Sequence, residues 1–386
     1  MEMDRSEMTI VPVPELLMCP ISLDLMSEPA TLRSTGQTYD RASIHRWLAD
    51  GHRTCPVTMQ RLPDLDTALV PNRTLKHLVD RWLLTGRPAD ISGLALPALR
   101  DNLLQQQRSA STSVLVETLR IVRSLSPAGF CPLLLRLLQT QADGGGEVVE
   151  LALDCLLGSP STQELAGALH DALTGNGAMS SSTLVLLLRQ GTTVKAKTGS
   201  CRLIAAAAAA REDVCMLLGH TEQLMAAMAN LVSNGDDAVA EAALMAMSSL
   251  CSSESTRATA VAAGAVDALI AYVSASAGPR AATTTCLQTL ELLLSLDAGR
   301  EAMHRHPDAA AVLVKMVFRV PSDLQAGSVS EHAVGSLLVA CRASSRLRVD
   351  AINAGLLTQL LLLLQSQCTP AAKANATALL RAVWAR

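Results

Sequence analysis

The stretch LLMCPISLDLMSEPATLRSTGQTYDRASIHRWL, residues 16–48, contains the first half of a repeated pattern. Its segment CPIS (19–22) has a cysteine followed three positions later by a hydroxyl residue, and CPVT (55–58) repeats this arrangement. In a zinc knuckle a second cysteine stands at that fourth position, because a tetrahedral ion needs four ligands. We therefore predict two knuckle-like loops, each of which lacks the ligand that would close it.

Zinc binding by this region is not expected from its ligand count. A cross-braced pair of zinc sites needs eight ligands, whereas the region has five: Cys19, His45, His52, Cys55 and His77. The whole sequence has ten cysteines and contains no Cys-x-x-Cys pair. We expect no metal and no cofactor, and we interpret the cysteines as buried reduced thiols. Cys19 and Cys55 have no His/Asp arrangement that would make either one a nucleophile.

Polar side chains can replace a metal by forming hydrogen bonds and ion pairs with the loops. We assign this structural role to Ser22, Glu28, Asp40, Arg41, Thr58 and Asn72. The segment DRASIHRWLAD predicts a helix with Ile44, Trp47 and Leu48 on one face. We expect the helix to be entered through a turn, GQTYD, with Asp40 as its N-cap. The loop tips would then project Ile21, Leu23 and Pro56 outwards.

The sequence after residue 87 indicates a helical repeat. Hydrophobic residues make up 49% of the chain but aromatic residues 2%, which favours cores of leucine and alanine. Loop-to-helix junctions recur in steps of 43, 43, 43 and 47 residues, at Thr193, Asp236, Pro279, Ser322 and Thr369. This period is typical of HEAT and armadillo repeats. We count about five clear repeats and one or two degenerate ones between residues 90 and 190.

The last repeat shows three helices, which favours the armadillo type. A short helix at 345–354 is broken by Gly355, LLTQLLLLLQ follows, and a third helix begins at Pro370. For this third helix we predict an apolar stripe at Ala371, Ala374, Ala378, Leu379, Ala382 and Val383.

The repeat region contains neither a G-x-x-x-x-G-K loop nor a His-Glu-x-x-His motif, which favours a binding surface over a catalytic one. Third helices normally line the concave face of such a solenoid. The candidate partner contacts are Lys195, Lys197, Arg202, Glu241, Arg280, Glu331, His332, Lys373 and Asn375. Each of these residues could equally be an ordinary solvated helix residue.

Charge and hydropathy exclude two other classes of partner. The chain has 32 basic and 35 acidic residues, without the basic excess that nucleic-acid binding requires. No apolar run approaches the ~20 residues of a transmembrane helix. The first ten residues, MEMDRSEMTI, lack a signal-peptide pattern. We expect a cytoplasmic protein, with the nucleus as a second compartment.

Residues 16–48 together with RTCPVTM (53–59) and LVPNRTLKHLVDRWL (69–83) resemble a U-box, the zinc-free relative of the RING finger. A U-box followed by armadillo repeats is similar to the plant U-box ubiquitin ligases. The resemblance implies a mostly α fold: a flexible tail at 1–11, a small α+β U-box at 12–86 and an armadillo-type α-solenoid at 87–386.

The resemblance also implies a function. A ubiquitin-charged conjugating enzyme would dock on a groove formed by Ile21, Leu23, Trp47 and Pro56. The domain would then favour attack by a substrate lysine without a covalent intermediate of its own, so we expect no catalytic residue. The repeats would bind the protein substrate for proteasomal turnover in plant stress or immune signalling, and the U-box could form a homodimer.

One position departs from the family pattern. Met59 stands where many members have a basic residue that bridges ubiquitin and the conjugating enzyme, and Arg61 is a nearby substitute for that role. The departure keeps a second hypothesis open: a non-catalytic armadillo adaptor whose U-box dimerises or competes for partners.

Overall fold

The computed structural model describes residues 15–62, 69–85, 112–125, 129–142, 146–175, 180–190, 193–275, 282–318 and 326–384. The chain divides into two compact units, Met1–Pro160 and Ser161–Arg386. Several predictions lie outside the described residues: the tail at 1–11, the domain boundary at 86–87, Arg280, and the junctions at Pro279 and Ser322.

The N-terminal domain, described at residues 15–62 and 69–85, forms there a small sheet with two helices. A short 3₁₀ turn (Glu15–Leu17) precedes β1 (Pro29–Leu32), β2 (Thr38–Asp40), α1 (Arg41–Ala49), β3 (Leu69–Pro71) and α2 (Arg73–Thr85). The strand order is β2-β1-β3 and both pairings are antiparallel, with Ala30 opposite Tyr39 on one side and Pro71 on the other. The apolar core joins the sheet to both helices through Leu17, Met26, Leu32, Ile44, Leu75, Leu78 and Val79.

The structure corrects the prediction for the segment GQTYD. Its last three residues form β2 rather than a turn, and Tyr39 is fully buried. Asp40 does precede α1, but its carboxylate makes no capping hydrogen bond to that helix. Ile44 and Leu48 are buried on one face of α1 as the periodicity predicts, while Trp47 is half-buried.

After residue 85, the described residues of the first unit form three further helices: α3 (Thr112–Leu125), α4 (Cys131–Gln141) and α5 (Gly146–Leu157). Their buried faces consist mainly of leucine and valine, as expected for a core that is poor in aromatic residues.

The described residues of the second unit form five successive helix triplets. Their helices are α6 (Thr162–Thr174), α7 (Ser181–Gln190), α8 (Val194–Ala210); α9 (Glu212–Gly219), α10 (Glu222–Asn234), α11 (Asp237–Leu250); α12 (Glu254–Ala262), α13 (Ala265–Ser274), α14 (Thr283–Leu293); α15 (Asp297–Arg305), α16 (Ala309–Val317), α17 (Ala326–Ala343); and α18 (Ser345–Asn353), α19 (Leu356–Gln365), α20 (Pro370–Trp384). The third helices α8, α11, α14, α17 and α20 pack in sequence, each on the next. Neighbouring triplets therefore share one core, as in a solenoid.

Left-handed glycines produce the sharp break between first and second helices in two triplets. Gly264 has φ +84° and Gly355 has φ +91°, a backbone conformation that side chains with a Cβ rarely adopt. The helix pairs at these breaks, α12–α13 and α18–α19, are bent by 75° and 73°. Within the described residues, no single helix is long and apolar enough to cross a membrane. Each of these two bent pairs has the required length and apolarity only when its two helices are counted as one.

The buried face of α20 differs from the predicted stripe. Ala372, Ala376, Leu379 and Val383 are buried, whereas Ala371 and Ala374 are exposed, so the prediction was wrong for those two residues. The reason is that alanine stands at 371, 372, 374 and 376, on both faces of the first two turns. Packing on α17, rather than side-chain polarity, determines which of them are buried.

We expect the second unit to lose stability at alkaline pH. Burial raises the pKa of the Cys201 and Cys251 thiols to about 12 and that of Cys341 to about 11. In the unfolded chain a thiol ionises near pH ~8.5, so the unfolded state releases these protons first. Their contribution is therefore fully present below that pH and is lost as pH rises towards the folded-state values. Each thiol should lower the free energy of unfolding by about 1.4 kcal/mol per pH unit in this window.

Urea unfolding monitored by circular dichroism under reducing conditions, between pH about 8 and 10.5, measures this slope. The double variant Cys201→Ala/Cys251→Ala should show a shallower dependence on pH than the natural chain. If the free energy of unfolding falls equally steeply with pH in both chains, these two thiols do not cause the alkaline loss of stability.

Candidate functional site

Two loops of the N-terminal domain have the same backbone hydrogen bonds. Loop 1 is residues 19–24 and loop 2 is residues 55–60. In loop 1 the Cys19 N–H donates to the Asp24 carbonyl (2.8 Å) and the Leu23 N–H donates to the Cys19 carbonyl (2.8 Å). The corresponding bonds in loop 2, Cys55 to Gln60 and Met59 to Cys55, are both 2.9 Å. The repeated Cys-Pro-x-Ser/Thr sequence thus produces a repeated structure.

The hydroxyl residue at the fourth position is exposed in each loop and bonds to the backbone of its own loop. Ser22 Oγ accepts the Asp24 N–H at 3.4 Å, and Thr58 Oγ1 accepts the Gln60 N–H at 3.5 Å. Both bonds are at the long end of the range for hydrogen bonds, so each contributes modestly. They connect residues two apart, as Ser/Thr turns do.

The cysteine that starts each loop is a buried hydrogen-bond acceptor. Burial raises the pKa of the Cys19 thiol, but hydrogen bonds from Ser22 and from the Asp40 N–H outweigh it and hold the pKa below the usual range. Burial likewise raises the pKa of Cys55, and hydrogen bonds from the Thr58 and Tyr39 side chains lower it to about 7. Each sulfur therefore accepts hydrogen bonds from nearby donors. In a zinc knuckle, the sulfur at this position would instead bind the metal as a thiolate.

Strand β2 connects both loops to the start of α1. The Asp40 N–H donates to Cys19 Sγ at 3.3 Å, which ties loop 1 to this strand. The Tyr39 hydroxyl lies 3.0 Å from Cys55 Sγ and accepts the Val57 N–H at 3.3 Å. These contacts tie loop 2 to Tyr39, the residue of β2 that precedes Asp40. Burial, reinforced by the contact with Cys55, raises the pKa of Tyr39 above its ordinary value, so the phenol stays protonated. The sequence analysis missed Tyr39 because it assigned this segment to a turn.

Asp40 organises the segment that precedes β1. Its Oδ1 accepts the Ser27 N–H (2.7 Å), the Ser27 hydroxyl (2.9 Å) and the Glu28 N–H (2.8 Å). Burial raises the pKa of this carboxyl, but the hydrogen bonds outweigh it and hold the pKa below its usual range. Glu28 and Arg41 form an ion pair at 3.5 Å that is largely solvent-exposed and therefore weak.

Asn72 joins the start of α2 to the sheet. Its Oδ1 accepts the Leu75 N–H at 3.0 Å, which caps the helix, and its Nδ2 donates to the hydroxyls of Thr31 (3.4 Å) and Thr38 (3.3 Å). These two hydroxyls, at paired positions of β1 and β2, lie 2.8 Å apart. The six polar residues expected to replace a metal therefore lie in separate clusters: inside each loop, before α1 and before α2.

The predicted docking residues lie on the loops and on α1. Leu23 is 70% exposed, while Ile21, Trp47 and Pro56 are half-buried. Trp47 is fixed by a hydrogen bond from its Nε1 to the Thr54 carbonyl (2.8 Å) and by stacking on His52, with ring centroids 4.0 Å apart. Both loops are tied to adjacent residues of β2 and Trp47 is tied to residue 54, so hydrogen bonds link the elements that carry these side chains.

Loop 2 contributes two exposed apolar side chains that the sequence analysis did not assign to docking. Val57 is 50% exposed and Met59 is 68% exposed. Aligning CPISLD with CPVTMQ would have revealed both, since Val57 corresponds to Ile21 and Met59 to Leu23. We call the set Ile21, Leu23, Trp47, Pro56, Val57 and Met59 the loop surface.

Among the described residues, no group of three or more His, Cys, Asp or Glu side chains is arranged to hold a metal ion.

The solenoid candidates all lie on third helices wherever they are described. Lys195, Lys197 and Arg202 are on α8, Glu241 on α11, Glu331 and His332 on α17, and Lys373 and Asn375 on α20. Two of them bind neighbouring repeats: His332 Nδ1 lies 2.8 Å from Glu291 Oε2, and Glu331 Oε2 accepts the Thr369 hydroxyl at 2.7 Å. Lys195, Arg202, Glu241 and Lys373 are exposed.

A small domain with two matched Cys-Pro-x-Ser/Thr loops, followed by a solenoid of three-helix repeats, defines a protein of the U-box and armadillo-repeat class. Two family models match the sequence: the U-box domain over residues 13–87 and the plant U-box protein ARM repeat region over residues 104–385. The second match spans well over half of the chain. The chain therefore belongs to the plant U-box family.

Similar proteins include the following two from plants. U-box domain-containing protein 26 of Arabidopsis thaliana is 32% identical over 398 residues, covering 96% of this chain and 91% of its own. U-box domain-containing protein 75 of Oryza sativa subsp. japonica is also 32% identical, and the match covers 96% of this chain and 81% of the rice protein. Among solved structures, an engineered protein of the Northeast Structural Genomics Consortium aligns with a TM-score of 0.59 at 18% identity. It covers 80% of this chain and 79% of its own, a likeness of fold alone.

Proposed function

We propose that this plant U-box protein is a ubiquitin ligase that docks a ubiquitin-charged conjugating enzyme on the loop surface. The observation that carries the proposal is the pair of matched loops, both tied to β2, which present apolar side chains beside a Trp47 ring held at two points. Membership of the plant U-box family supports it. An exposed apolar cluster of this kind marks a protein interaction site.

The proposed chemistry is positioning rather than acid–base or covalent catalysis. The neutral amine of a substrate lysine attacks the thioester carbonyl carbon, an amide bond forms, and the carbon–sulfur bond breaks to release the conjugating-enzyme thiolate, which takes up the proton that the amine loses. Cys19 and Cys55 are fully buried, so neither can reach the thioester, although the pKa of Cys55 is about 7. The ligase contributes by holding enzyme and substrate together, which raises their effective concentration.

The solenoid is proposed to bind the protein substrate through its third helices. Lys195, Arg202, Glu241 and Lys373 offer exposed charges there, and solenoids commonly use such a surface for binding. We extend the proposal to proteasomal turnover in plant stress or immune signalling, in the cytoplasm and nucleus, with family membership as its support. Homodimerisation through the U-box is part of the same proposal.

A reconstituted reaction tests the ligase function. The full chain is incubated with activating enzyme, ATP, ubiquitin and, in turn, each member of a panel of conjugating enzymes. We expect at least one of these enzymes to produce ubiquitin conjugates on the chain or as free ubiquitin chains. The Val349→Ala variant, altered at an exposed apolar residue of α18, should retain full activity. If no pairing forms conjugates, the ligase function is wrong and the non-catalytic adaptor becomes the better explanation.

A further inference from the structure

Two non-glycine residues of the N-terminal domain have a left-handed backbone. Leu23 has φ +57° and Met59 has φ +58°, and within the described residues these are the positive-φ positions outside glycine. The left-handed region is unfavourable for side chains with a Cβ, and glycine adopts it without that cost. Bulky apolar residues are thus held in a conformation that glycine would satisfy better.

The two positions are equivalent in structure. Each is the fifth residue of its loop, and each donates its N–H to the carbonyl of the loop's first cysteine. An isolated β-bridge closes the base of each loop, Met18 with Leu25 in loop 1 and Thr54 with Arg61 in loop 2. The side chains are also similarly exposed, 70% for Leu23 and 68% for Met59.

Neither side chain is explained by folding. A side chain that is about two-thirds exposed gains little from burial, and its exposure to water is unfavourable in the isolated domain. An observed backbone outlier at an exposed apolar residue is therefore a reason to look for function.

We propose that Met59 is an apolar docking residue for the conjugating enzyme, the counterpart in loop 2 of Leu23 in loop 1, and that it selects among conjugating enzymes. This inference rests on the proposed function. The partner it fits is a conjugating enzyme with an apolar surface opposite loop 2, because a charged or strongly hydrated group there would be desolvated without a partner.

The chemistry of Met59 differs from that of a ubiquitin-bridging residue. A thioether is a weak hydrogen-bond acceptor and has no donor, so it cannot hold polar groups of ubiquitin and enzyme together. Its unbranched, polarisable side chain adapts instead to apolar surfaces of varied shape. The backbone of Arg61 lies in the β-bridge at the base of the loop, two residues beyond this position, which makes Arg61 a poor replacement for a bridging residue at the tip.

The test compares stability and affinity in the same variants of the full chain. Met59→Gly removes both the side chain and the backbone strain, so the melting temperature of the N-terminal domain should rise by about 2–5 °C. The Kd for a conjugating enzyme that the natural chain binds should nevertheless rise about tenfold. Leu23→Gly should behave in the same way.

Two variants serve as controls. Met59→Leu should bind the conjugating enzyme with a Kd within about threefold of the natural value. Val70→Ala, altered at an exposed residue of β3, should change neither the melting temperature nor the Kd.

Ile21→Ala separates this inference from the proposed function. If Ile21→Ala weakens binding but Met59→Gly leaves the Kd unchanged for every enzyme in the panel, the inference is wrong and the proposed function stands. If the natural chain binds no conjugating enzyme, both are wrong. The Met59→Arg variant tests selection: we expect a changed order of affinities across the panel, and an unchanged order contradicts a selecting role.

Discussion

Replacing Ile21 with alanine should reduce conjugate formation at least tenfold with the conjugating enzyme that supports the natural chain. Ile21 lies in a loop whose shape is set by backbone hydrogen bonds and by Cys19 Sγ, none of which involve its side chain. The change therefore removes an interface contact and leaves the fold intact. Truncating a central apolar contact typically costs about 2 kcal/mol or more of binding free energy, which corresponds to a factor of about 30.

Initial rates at subsaturating conjugating enzyme, together with the melting temperature, measure this effect. The melting temperature should stay within about 2 °C of the natural value, since a half-buried loop residue contributes little to the core. Leu361→Ala, at an exposed position on α19, is a matched control that should keep the natural rate. An unchanged rate in the Ile21 variant would exclude this residue from docking. Trp47→Ala is a less informative variant because it also removes the hydrogen bond to Thr54.

Replacing Asp40 with alanine should destabilise the N-terminal domain more than any loop-tip change. The substitution removes Oδ1, the acceptor for two backbone N–H groups and the Ser27 hydroxyl. Asp40 is only 9% exposed, so water cannot readily replace this acceptor. Loss of a buried charged acceptor of three hydrogen bonds should lower the free energy of unfolding of the domain by about 3–5 kcal/mol. Urea unfolding, read out by amide exchange of peptides within residues 15–62, measures the loss. A change below about 1 kcal/mol would contradict the structural role assigned to Asp40.

The Asp40→Asn variant isolates the charge of this group. Because the folded-state pKa of Asp40 lies below its ordinary value, its contribution is present above pH ~3.9 and is lost as pH falls through the folded-state pKa. The natural domain should therefore lose stability on acidification more steeply than the Asn variant. The Asn variant should be about 1–2 kcal/mol less stable at neutral pH, because a neutral acceptor forms weaker hydrogen bonds. Identical acid profiles would indicate that the charge is not involved.

The features predicted well from sequence are those encoded locally. The two Cys-Pro-x-Ser/Thr segments sit at fixed offsets, so their similarity and the missing ligands could be read directly from the sequence. The recurring junctions and the break at Gly355 likewise predicted the three helices of the last repeat, which the structure shows as α18, α19 and α20. Local chemistry was sufficient in these cases because turns, caps and left-handed glycines depend on few residues.

The features that were missed depend on pairing between distant segments. Tyr39 lies in a three-residue strand whose sequence looks like a turn, and its contact with Cys55 becomes visible only once β2 is paired with β1. The Thr31–Thr38 pair that Asn72 joins depends on the same register. The exposed face of α20 could not be read because alanine is compatible with either face.

The measurement that tests the ligase function most directly is single-turnover discharge of ubiquitin from a charged conjugating enzyme to free lysine, with the full chain present and a zinc chelator in the buffer. We predict that the chain accelerates discharge over the conjugating enzyme alone, that the chelator leaves the acceleration unchanged, and that Ile21→Ala abolishes most of it. No acceleration with any enzyme of the panel would contradict the proposal. Acceleration that disappears with the chelator and returns with zinc would contradict a docking surface held together without metal.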